Sequence, residues 1–186
     1  MPYNISMAIP ETVSLVPSLA KEYLPQAWLD ARLIVLNSKI EGQGIFANNP
    51  IKEGETVILW GGTIMTTEDI RMGRHRPRSH AEIGEGLFIA GEIDDPEEDP
   101  DENLNHSCDP NLWLADEVTL QAKRYIAKGE EITLDYSTFC SMPDWKMQCN
   151  CKSQNCRGLV TGNDWALPQL QERYKGHFSP YLNKRI

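Results

Sequence analysis

The sequence has no long apolar run, few cations and an odd number of cysteines. Residues Met1 to Ser6 hold no basic region that leads into an apolar stretch, so we expect neither a signal peptide nor a membrane span. The 18 Lys and Arg stand against 27 Asp and Glu, which gives a formal net charge of −9. This balance disfavours broad nucleic-acid binding, which needs cations against phosphates, and suits a basic partner or simple solubility. The expected location is the cytoplasm, or the nucleus in a eukaryote.

None of the five cysteines precedes Cys108, and three of them form the cluster Cys149-x-Cys151-x4-Cys156. An odd number with such clustering disfavours a secreted disulfide framework and favours a metal in a reducing compartment. A closed structural zinc site needs four ligands, so one more thiolate is required. The residues alone leave Cys108 and Cys140 as alternatives for the fourth ligand.

Short β-prone runs separated by frequent turns predict a mainly β domain with short helices. The chain of 186 residues is long enough for one domain with a small appendage. Thr67 is the expected cap of a short helix, and a second helix is expected from Trp165 to Tyr174. The predicted strands are Leu33–Leu36, Ile45–Ala47, Val57–Trp60, Leu87–Ala90, Leu112–Leu114, Val118–Ala122 and Ile132–Leu134.

Two charged stretches lie between these strands. Eight carboxylates occur from Glu92 to Glu102, and we predict a mobile loop that can hold a basic peptide. The earlier stretch is a run of arginines, for which a solvated loop is predicted, with weak contact to nucleic acid or an acidic protein as the alternative. Its members are Arg71, Arg74, Arg76 and Arg78.

The segment Asn105-His106-Ser107-Cys108-Asp109-Pro110-Asn111 is unusually dense in polar groups. Pro110 excludes a continuous helix here. The polar groups need partners, and two interpretations are open. Either the segment is a turn that satisfies itself, or Asn105 and His106 bind a ligand while Cys108 binds a metal.

Four motifs together resemble the SET domain family of protein lysine methyltransferases. The Asn-His-Ser-Cys-x-Pro-Asn segment resembles the first family signature, and Gly129 to Tyr136 (GEEITLDY) resembles the second, which ends in Asp-Tyr. Gly42-Gln43-Gly44-Ile45-Phe46-Ala47 resembles the family's Gly-x-Gly start, and Cys149 to Gly158 its post-SET zinc segment. The resemblance implies a SET-domain fold of small β-sheets around a pseudoknot, followed by a zinc-binding segment.

The domain limits that follow are expectations. Residues 1–30 form an amino-terminal cover, and residues 31–139 form the SET domain with a variable insert at about 66–102. The post-SET zinc segment takes residues 140–160, and a tail takes residues 161–186.

The resemblance also assigns the site. It implies S-adenosylmethionine as methyl donor and Tyr136 as the catalytic residue that orients the lysine amine, with Leu134 and Tyr136 in the substrate channel. It implies one structural zinc held by Cys108, Cys149, Cys151 and Cys156, with Cys140 as the spare. The implied cofactor-binding residues are Gly42, Gln43, Gly44, Ile45, Asn105, His106 and Leu159, with Trp165 as a second candidate for the cover over adenine.

The function implied is methyl transfer to lysine in a histone or another basic protein, with no membrane involved. Leu134 stands where many relatives carry Phe or Tyr, which predicts di- or trimethylation. A further channel tyrosine is missing, because no tyrosine occurs between residues 24 and 124 and His80-Ala81-Glu82 stands in the expected strand. The alternative is therefore a catalytically weak SET-fold module that binds a basic partner. A zinc hydrolase is excluded because no open site of His and carboxylate ligands is visible.

Overall fold

The computed structural model describes residues 22–95 and 99–186. Most of the expected cover segment therefore lies outside the described residues, as do three residues of the acidic stretch. Residues 24 to 29 pack on the domain, because Leu24 forms a parallel bridge with Gly61 and Trp28–Leu29 pairs with a central strand. No helix within the described ranges is long and apolar enough to cross a membrane.

The fold is mainly β, as predicted, with thirteen short strands in the described part of the chain. The strands are β1 Trp28–Leu29, β2 Leu33–Asn37, β3 Gln43–Ala47, β4 Thr56–Leu59, β5 Thr63–Thr66, β6 Ala81–Gly84, β7 Leu87–Ala90, β8 Asn105–His106, β9 Leu112–Leu114, β10 Thr119–Ala122, β11 Thr133–Leu134, β12 Lys146–Gln148 and β13 Leu159–Thr161. The helices are α1 Thr67–Arg71, α2 Pro168–Arg173 and α3 Pro180–Asn183, with 3-10 turns at Pro100–Asn103, Tyr136–Thr138 and Asp164–Ala166.

The strands form several small sheets around one core. The largest sheet has the order β1-β4-β10-β9, and a second has the order β5-β7-β6. Two antiparallel pairs, β2-β3 and β12-β13, lie outside them, and β8 pairs with β11 in parallel. Apolar side chains from β3, β4, β9 and β10 fill the main core, where Ile45, Ile58 and Leu120 are fully buried. Burial of each such side chain contributes about 1.5–3 kcal/mol relative to exposure.

Two helix boundaries differ from the sequence prediction. Thr66, not Thr67, caps α1, because its side chain and that of Asp69 form a reciprocal capping box. Pro168 divides the helix expected from Trp165 to Tyr174 into a 3-10 turn and α2, since proline at the first position starts a new helix. The tail folds back on the domain, with Phe178 and Leu182 buried beside Tyr174.

Candidate active site

The two signature segments lie side by side. In the parallel pair β8-β11, Asn105 is opposite Thr133 and His106 is opposite Leu134. The amide of Asn111 locks this arrangement: it donates to the carbonyl of Glu131 at 2.9 Å and accepts from the backbone N–H of Thr133 at 2.9 Å. The Pro-Asn end of the first motif thus fixes the start of the second.

Asn105 connects this pair with the Gly42–Gly44 turn. Its buried amide nitrogen donates to the carbonyl of Gln43 at 2.9 Å and to Glu131 Oε1 at 2.8 Å. Its amide oxygen accepts from Arg78 Nη2 at 3.1 Å. The polar groups of the motif are thereby satisfied within the protein, and Asn105 positions Arg78 at the cavity described below.

The two glycines of the turn are required for different reasons. Gly42 has a φ of +49°, in the left-handed region that favours glycine. A Cβ on Gly44 would overlap the carboxylate of Glu131, which also accepts from the hydroxyl of Ser38 at 2.8 Å. Of the other residues predicted here, Gln43 is exposed and Ile45 is fully buried in the core.

His106 links the second motif to the cysteines. Its Nδ1 accepts the backbone N–H of Tyr136 at 3.1 Å, so the neutral ring carries its proton on Nε2, which lies 3.3 Å from Cys108 Sγ. Burial lowers the pKa of His106 to about 4, although Asp135 opposes this shift. The ring is therefore a neutral, fixed connection.

Tyr136 projects into a cavity of about 310 Å³. Its hydroxyl donates to the carbonyl of Leu104 at 2.5 Å, and burial raises the pKa of Tyr136 to about 12. The rings of Phe139 and Trp145 lie 5.5 and 6.2 Å from its ring. The phenol is thus neutral at physiological pH, and its oxygen lone pairs can accept a hydrogen bond inside an aromatic enclosure.

Several residues that sequence reasoning missed line the same cavity. Phe139 follows Tyr136 by one 3-10 turn, a spacing that could have identified it. Arg78 reaches the cavity from a left-handed backbone with a φ of 69°, a conformation that costs about 1–2 kcal/mol and leaves no signal in the sequence. Other missed lining residues include Trp60, Glu82, Phe88, Asp101 and Trp145, together with His80.

Three residues expected at the site lie elsewhere among the described residues. Leu134 is fully buried in the main core because β11 turns its side chain inward. Leu159 is 46% exposed on β13, opposite Gln148, and does not line the cavity, whereas Trp145, Met147 and Gln148 do. Trp165 packs against the tail, with the Arg185 guanidinium 4.6 Å from its ring centroid.

The prediction of two solvated, mobile stretches is wrong for Arg76 and Glu102. Arg76 is buried and donates to Glu102 at 2.6 and 2.8 Å, with carboxylate oxygens of Asp95 and Asp99 at 3.7 Å. Arg74 pairs with Asp69 at 2.6 Å. Arg76 is thus neutralised by carboxylates of the acidic stretch, whereas Arg71 and Arg74 are exposed.

Four cysteines lie close together and form the cysteine centre of this protein. The Sγ atoms of Cys108, Cys149, Cys151 and Cys156 all lie within 4.8 Å of one another, and those of Cys108 and Cys149 are 3.8 Å apart. Zinc–sulfur bonds of about 2.3 Å in a tetrahedron separate the sulfurs by about 3.8 Å, so the group fits structural zinc. Burial raises the pKa of Cys108 to about 11, a shift that a bound cation would reverse. Cys140 lies apart from this group in the main core.

Asp135 joins the cysteine centre to the rest of the site. It is fully buried, and Arg157 binds it through two hydrogen bonds of 2.7 and 2.8 Å. Burial opposes ionisation of Asp135, but these bonds hold its pKa below the usual range. The Arg157 backbone N–H donates to Cys108 Sγ at 3.3 Å, and the Tyr174 hydroxyl donates to Asp135 at 3.1 Å. A buried, satisfied network therefore holds the cysteine segment and the tail against the residue before Tyr136.

Comparison with known proteins agrees with this geometry. The family model of the SET domain matches residues 42–137. The chain is 31% identical over 172 residues to histone-lysine N-methyltransferase TRX1 of Oryza sativa subsp. japonica, and 28% identical over 176 residues to ATX2 of Arabidopsis thaliana. These matches cover 84% and 87% of this chain but only 16% of each relative.

Solved structures show the same fold. The methyltransferase domain of human SETMAR superimposes with a TM-score of 0.56 at 19% identity, covering 70% of this chain and 58% of that one. Arabidopsis thaliana SUVH6 in complex with SAM superimposes with a TM-score of 0.57 at 18% identity, covering 70% and 33%.

Proposed function

The chain belongs to the SET domain family, and we propose that it is a protein-lysine N-methyltransferase that uses S-adenosylmethionine. The observation that carries the proposal is Tyr136: a neutral phenol, oriented by the carbonyl of Leu104, in a cavity enclosed by aromatic rings. Methyl transfer to an amine needs alignment and exclusion of water more than covalent catalysis. The Tyr136 oxygen can accept a hydrogen bond from the amine. Because its hydroxyl is held by the carbonyl of Leu104, this bond orients the amine for transfer.

The cavity suits a neutral amine. Burial among apolar side chains disfavours an ammonium and lowers the pKa of a lysine. Because the pKa of Tyr136 is about 12, its hydroxyl keeps its proton and acts as a hydrogen-bond acceptor for the amine. In this proposal Tyr136 orients the nucleophile and supports charge at the methyl group, and it removes no proton.

S-adenosylmethionine supplies a methyl group on a sulfonium sulfur. We assign its binding to the part of the cavity where Glu41, Arg78 and Asn105 meet, next to His106. The guanidinium of Arg78 matches the carboxylate of an amino acid, and the Gly42 turn keeps backbone atoms close to it. The post-SET hairpin contributes Trp145 and Met147 as apolar cover, in place of Leu159. The zinc would hold this hairpin in position and take no part in chemistry, since four sulfurs leave no open position.

The proposed product is di- or trimethyllysine. The residue that limits the channel in this proposal is Phe139, whose ring packs on Tyr136, rather than Leu134. A phenylalanine offers no hydroxyl to hold the amine or a water molecule, so a methylated amine is free to rotate for the next transfer.

The proposed substrate is a lysine in a basic protein segment, with histone H3 as the first candidate and the nucleus as the location. The net charge of −9 supports a basic partner. The relatives of this chain are named histone-lysine methyltransferases, and Arabidopsis thaliana ATX1, 29% identical over 167 residues, is named for trimethylation of lysine 4 of histone H3. The chain spans 15–16% of the length of ATX1 and of the two plant relatives above. The activity and substrate of this chain must therefore be measured on the chain itself.

The test is Tyr136→Phe in the zinc-loaded protein, with methyl transfer from labelled S-adenosylmethionine to pooled core histones as the readout. We expect a fall in kcat of about 10²–10³-fold, the usual effect of removing one oriented polar contact from a transition state. Binding of S-adenosylhomocysteine, measured by calorimetry, should change less than about threefold. Tyr125→Phe is the matched control, because Tyr125 is exposed.

The binding-module alternative makes the opposite prediction. In that case the unmodified protein binds histones without turnover, and Tyr136→Phe changes nothing. Turnover that survives Tyr136→Phe at full rate would mean that the catalytic assignment is wrong.

A further inference from the structure

Two buried acceptors on the cavity wall have no partner. Among the described residues, the buried side-chain nitrogen and oxygen atoms without a hydrogen bond are His80 Nδ1, Asp101 Oδ1, Arg157 Nε, Asp164 Oδ2 and Ser179 Oγ. Arg157 Nε and Asp164 Oδ2 are an ion pair at 2.9 Å. Of the remaining three, His80 and Asp101 both line the Tyr136 cavity. Unsatisfied buried polar atoms are rare and costly, so two on one wall indicate a ligand.

Asp101 differs from Asp95, Asp99 and Glu102. Glu102 binds Arg76 directly, and Asp95 and Asp99 have oxygens 3.7 Å from the same guanidinium. Asp101 is on the opposite side of the Pro100–Asn103 turn and faces the cavity. Burial, together with the charges of Asp99 and Glu102, raises the pKa of Asp101 to about 7 although Arg76 opposes the shift. In the free protein this carboxyl is therefore only partly ionised near neutral pH, and a cation that binds beside it would lower its pKa and favour the charged form.

The position of Asp101 relative to Tyr136 is fixed by the backbone. The carbonyl of Asp101 accepts the N–H of Leu104 at 2.9 Å, and the carbonyl of Leu104 accepts the hydroxyl of Tyr136. Two hydrogen bonds therefore separate the Asp101 backbone from the proposed catalytic oxygen. This short connection holds the backbone of Asp101 at a fixed position relative to the hydroxyl of Tyr136.

His80 is neutral, and in the tautomer that carries its proton on Nε2 its Nδ1 is an acceptor. Burial and the neighbouring His75 lower the pKa of His80 to about 4, and the two rings lie 4.4 Å apart. His80 stands at the start of β6, where the expected channel tyrosine is missing. Its Nδ1 can accept one hydrogen bond from a donor in the cavity.

We propose that Asp101 and His80 bind the ammonium group of the substrate lysine as it enters the cavity, before it gives its proton to solvent and reaches Tyr136 as a neutral amine. Asp101 supplies the charge and His80 a second acceptor. The inference rests on the proposed function and names the residues that recognise its substrate. An ammonium has three N–H donors and no acceptor, which matches two acceptors on the cavity wall. A metal ion fits less well, because the four cysteines are the one cluster in the described chain that could hold one.

The test separates recognition of the charge from the shape of the channel. Asp101→Asn keeps the shape and removes the charge. With a histone H3 amino-terminal peptide, we expect KM to rise about tenfold or more, the effect of losing a hydrogen bond to a charged group. The same peptide with norleucine at the target position lacks the ammonium, and its inhibition constant should stay within about twofold. A loss of structure would instead change both values.

Two further variants complete the design. Asp94→Asn removes one charge from the same segment at an exposed position and should change neither constant. His80→Phe keeps a ring without the acceptor and should raise KM in the same direction by a smaller factor. An unchanged KM in Asp101→Asn, or an equal shift for both peptides, would overturn the inference while the proposed function stands. If the unmodified protein fails to methylate both histone H3 and pooled core histones, the proposed function fails and the inference with it.

Discussion

The cysteine centre and the cavity wall differ in how far their buried polar groups are hydrogen-bonded within the protein. Around Cys108 and Asp135 the charged and polar groups have partners inside the protein, including two hydrogen bonds from Arg157 to a fully buried carboxylate. On the cavity wall, His80 and Asp101 keep acceptors without a donor. A satisfied network stabilises a fold, whereas an unsatisfied one costs stability and is retained for a ligand. The contrast separates the part of the site that holds the structure from the part that meets the substrate.

The largest effect should come from breaking the cysteine centre. Cys149→Ser removes a ligand, and zinc binding provides folding energy directly, so we expect loss of metal by mass spectrometry and a midpoint lower by about 10 °C or more. Methyl transfer should be lost as well. Cys140→Ala is the control and should retain one zinc, since Cys140 lies outside the cluster. A zinc content unchanged in Cys149→Ser would remove this residue from the ligand set.

The second effect concerns the network next to the cysteines. Asp135→Asn removes one of the two carboxylates that pair with Arg157 and leaves only Asp164, and breaking a buried pair costs about 3–5 kcal/mol of unfolding free energy. The folded pKa of Asp135 is below its unfolded value, so its contribution is present at neutral pH and is lost as the pH falls below about 4. Urea unfolding at neutral and acid pH measures this. An equal loss at both pH values would contradict the electrostatic explanation.

The third effect is a gain in stability, and it concerns Asp101 on the cavity wall. The folded pKa of Asp101 is about 7 against about 3.9 in an unfolded chain, so the folded state holds the extra proton and stability falls as the pH rises from about 4 to 7. Asp101→Asn should therefore increase the unfolding free energy at pH 8 by about 2–4 kcal/mol. It should also flatten the pH profile, while Asp94→Asn should leave the profile as it is. A destabilised Asp101→Asn would mean that the carboxylate has a partner in the free protein.

The smallest effect is on the product. Phe139→Tyr adds a hydroxyl beside Tyr136, which can hold the amine or a water molecule and oppose further transfer. Mass spectrometry of the methylated peptide should show a shift toward monomethyllysine, with total turnover changed less than about fivefold. Leu134→Val is the comparison, because Leu134 is in the core and should affect stability rather than product. A product shift in Leu134→Val alone would return the limiting role to that position.

Local sequence motifs predicted the fold class and part of the candidate site. The mainly β fold and the cluster of three cysteines follow from the residues themselves. The choice of Cys108 as the fourth cysteine and the meeting of the Asn-His and Asp-Tyr segments came from the family resemblance, because spacing alone shows neither. Tyr136 was found for the same reason. It lines the cavity, and its role remains a proposal.

The rest depends on tertiary contacts that no local pattern encodes. Arg76 was expected in solvent because its neighbours are charged, yet it is buried by carboxylates that lie up to 26 residues away in the sequence. Arg78 and Asp101 enter the cavity from the two stretches that were interpreted as solvated and mobile. Leu159 was expected over the cofactor, but it is 46% exposed on β13, and the cavity is lined by Met147 and Gln148 of β12 together with Trp145 just before that strand.

The hydrogen bonds of Asp135 also have a consequence for synthesis on the ribosome. Its charge partner is Arg157 and another donor is Tyr174, so both partners are translated after the whole SET segment up to residue 137. Until they emerge, the nascent chain holds a carboxylate that it cannot bury without a cost of several kcal/mol. The Tyr136 region should therefore order late, and ribosome-bound chains arrested before residue 157 should be open to proteases there while longer chains are protected.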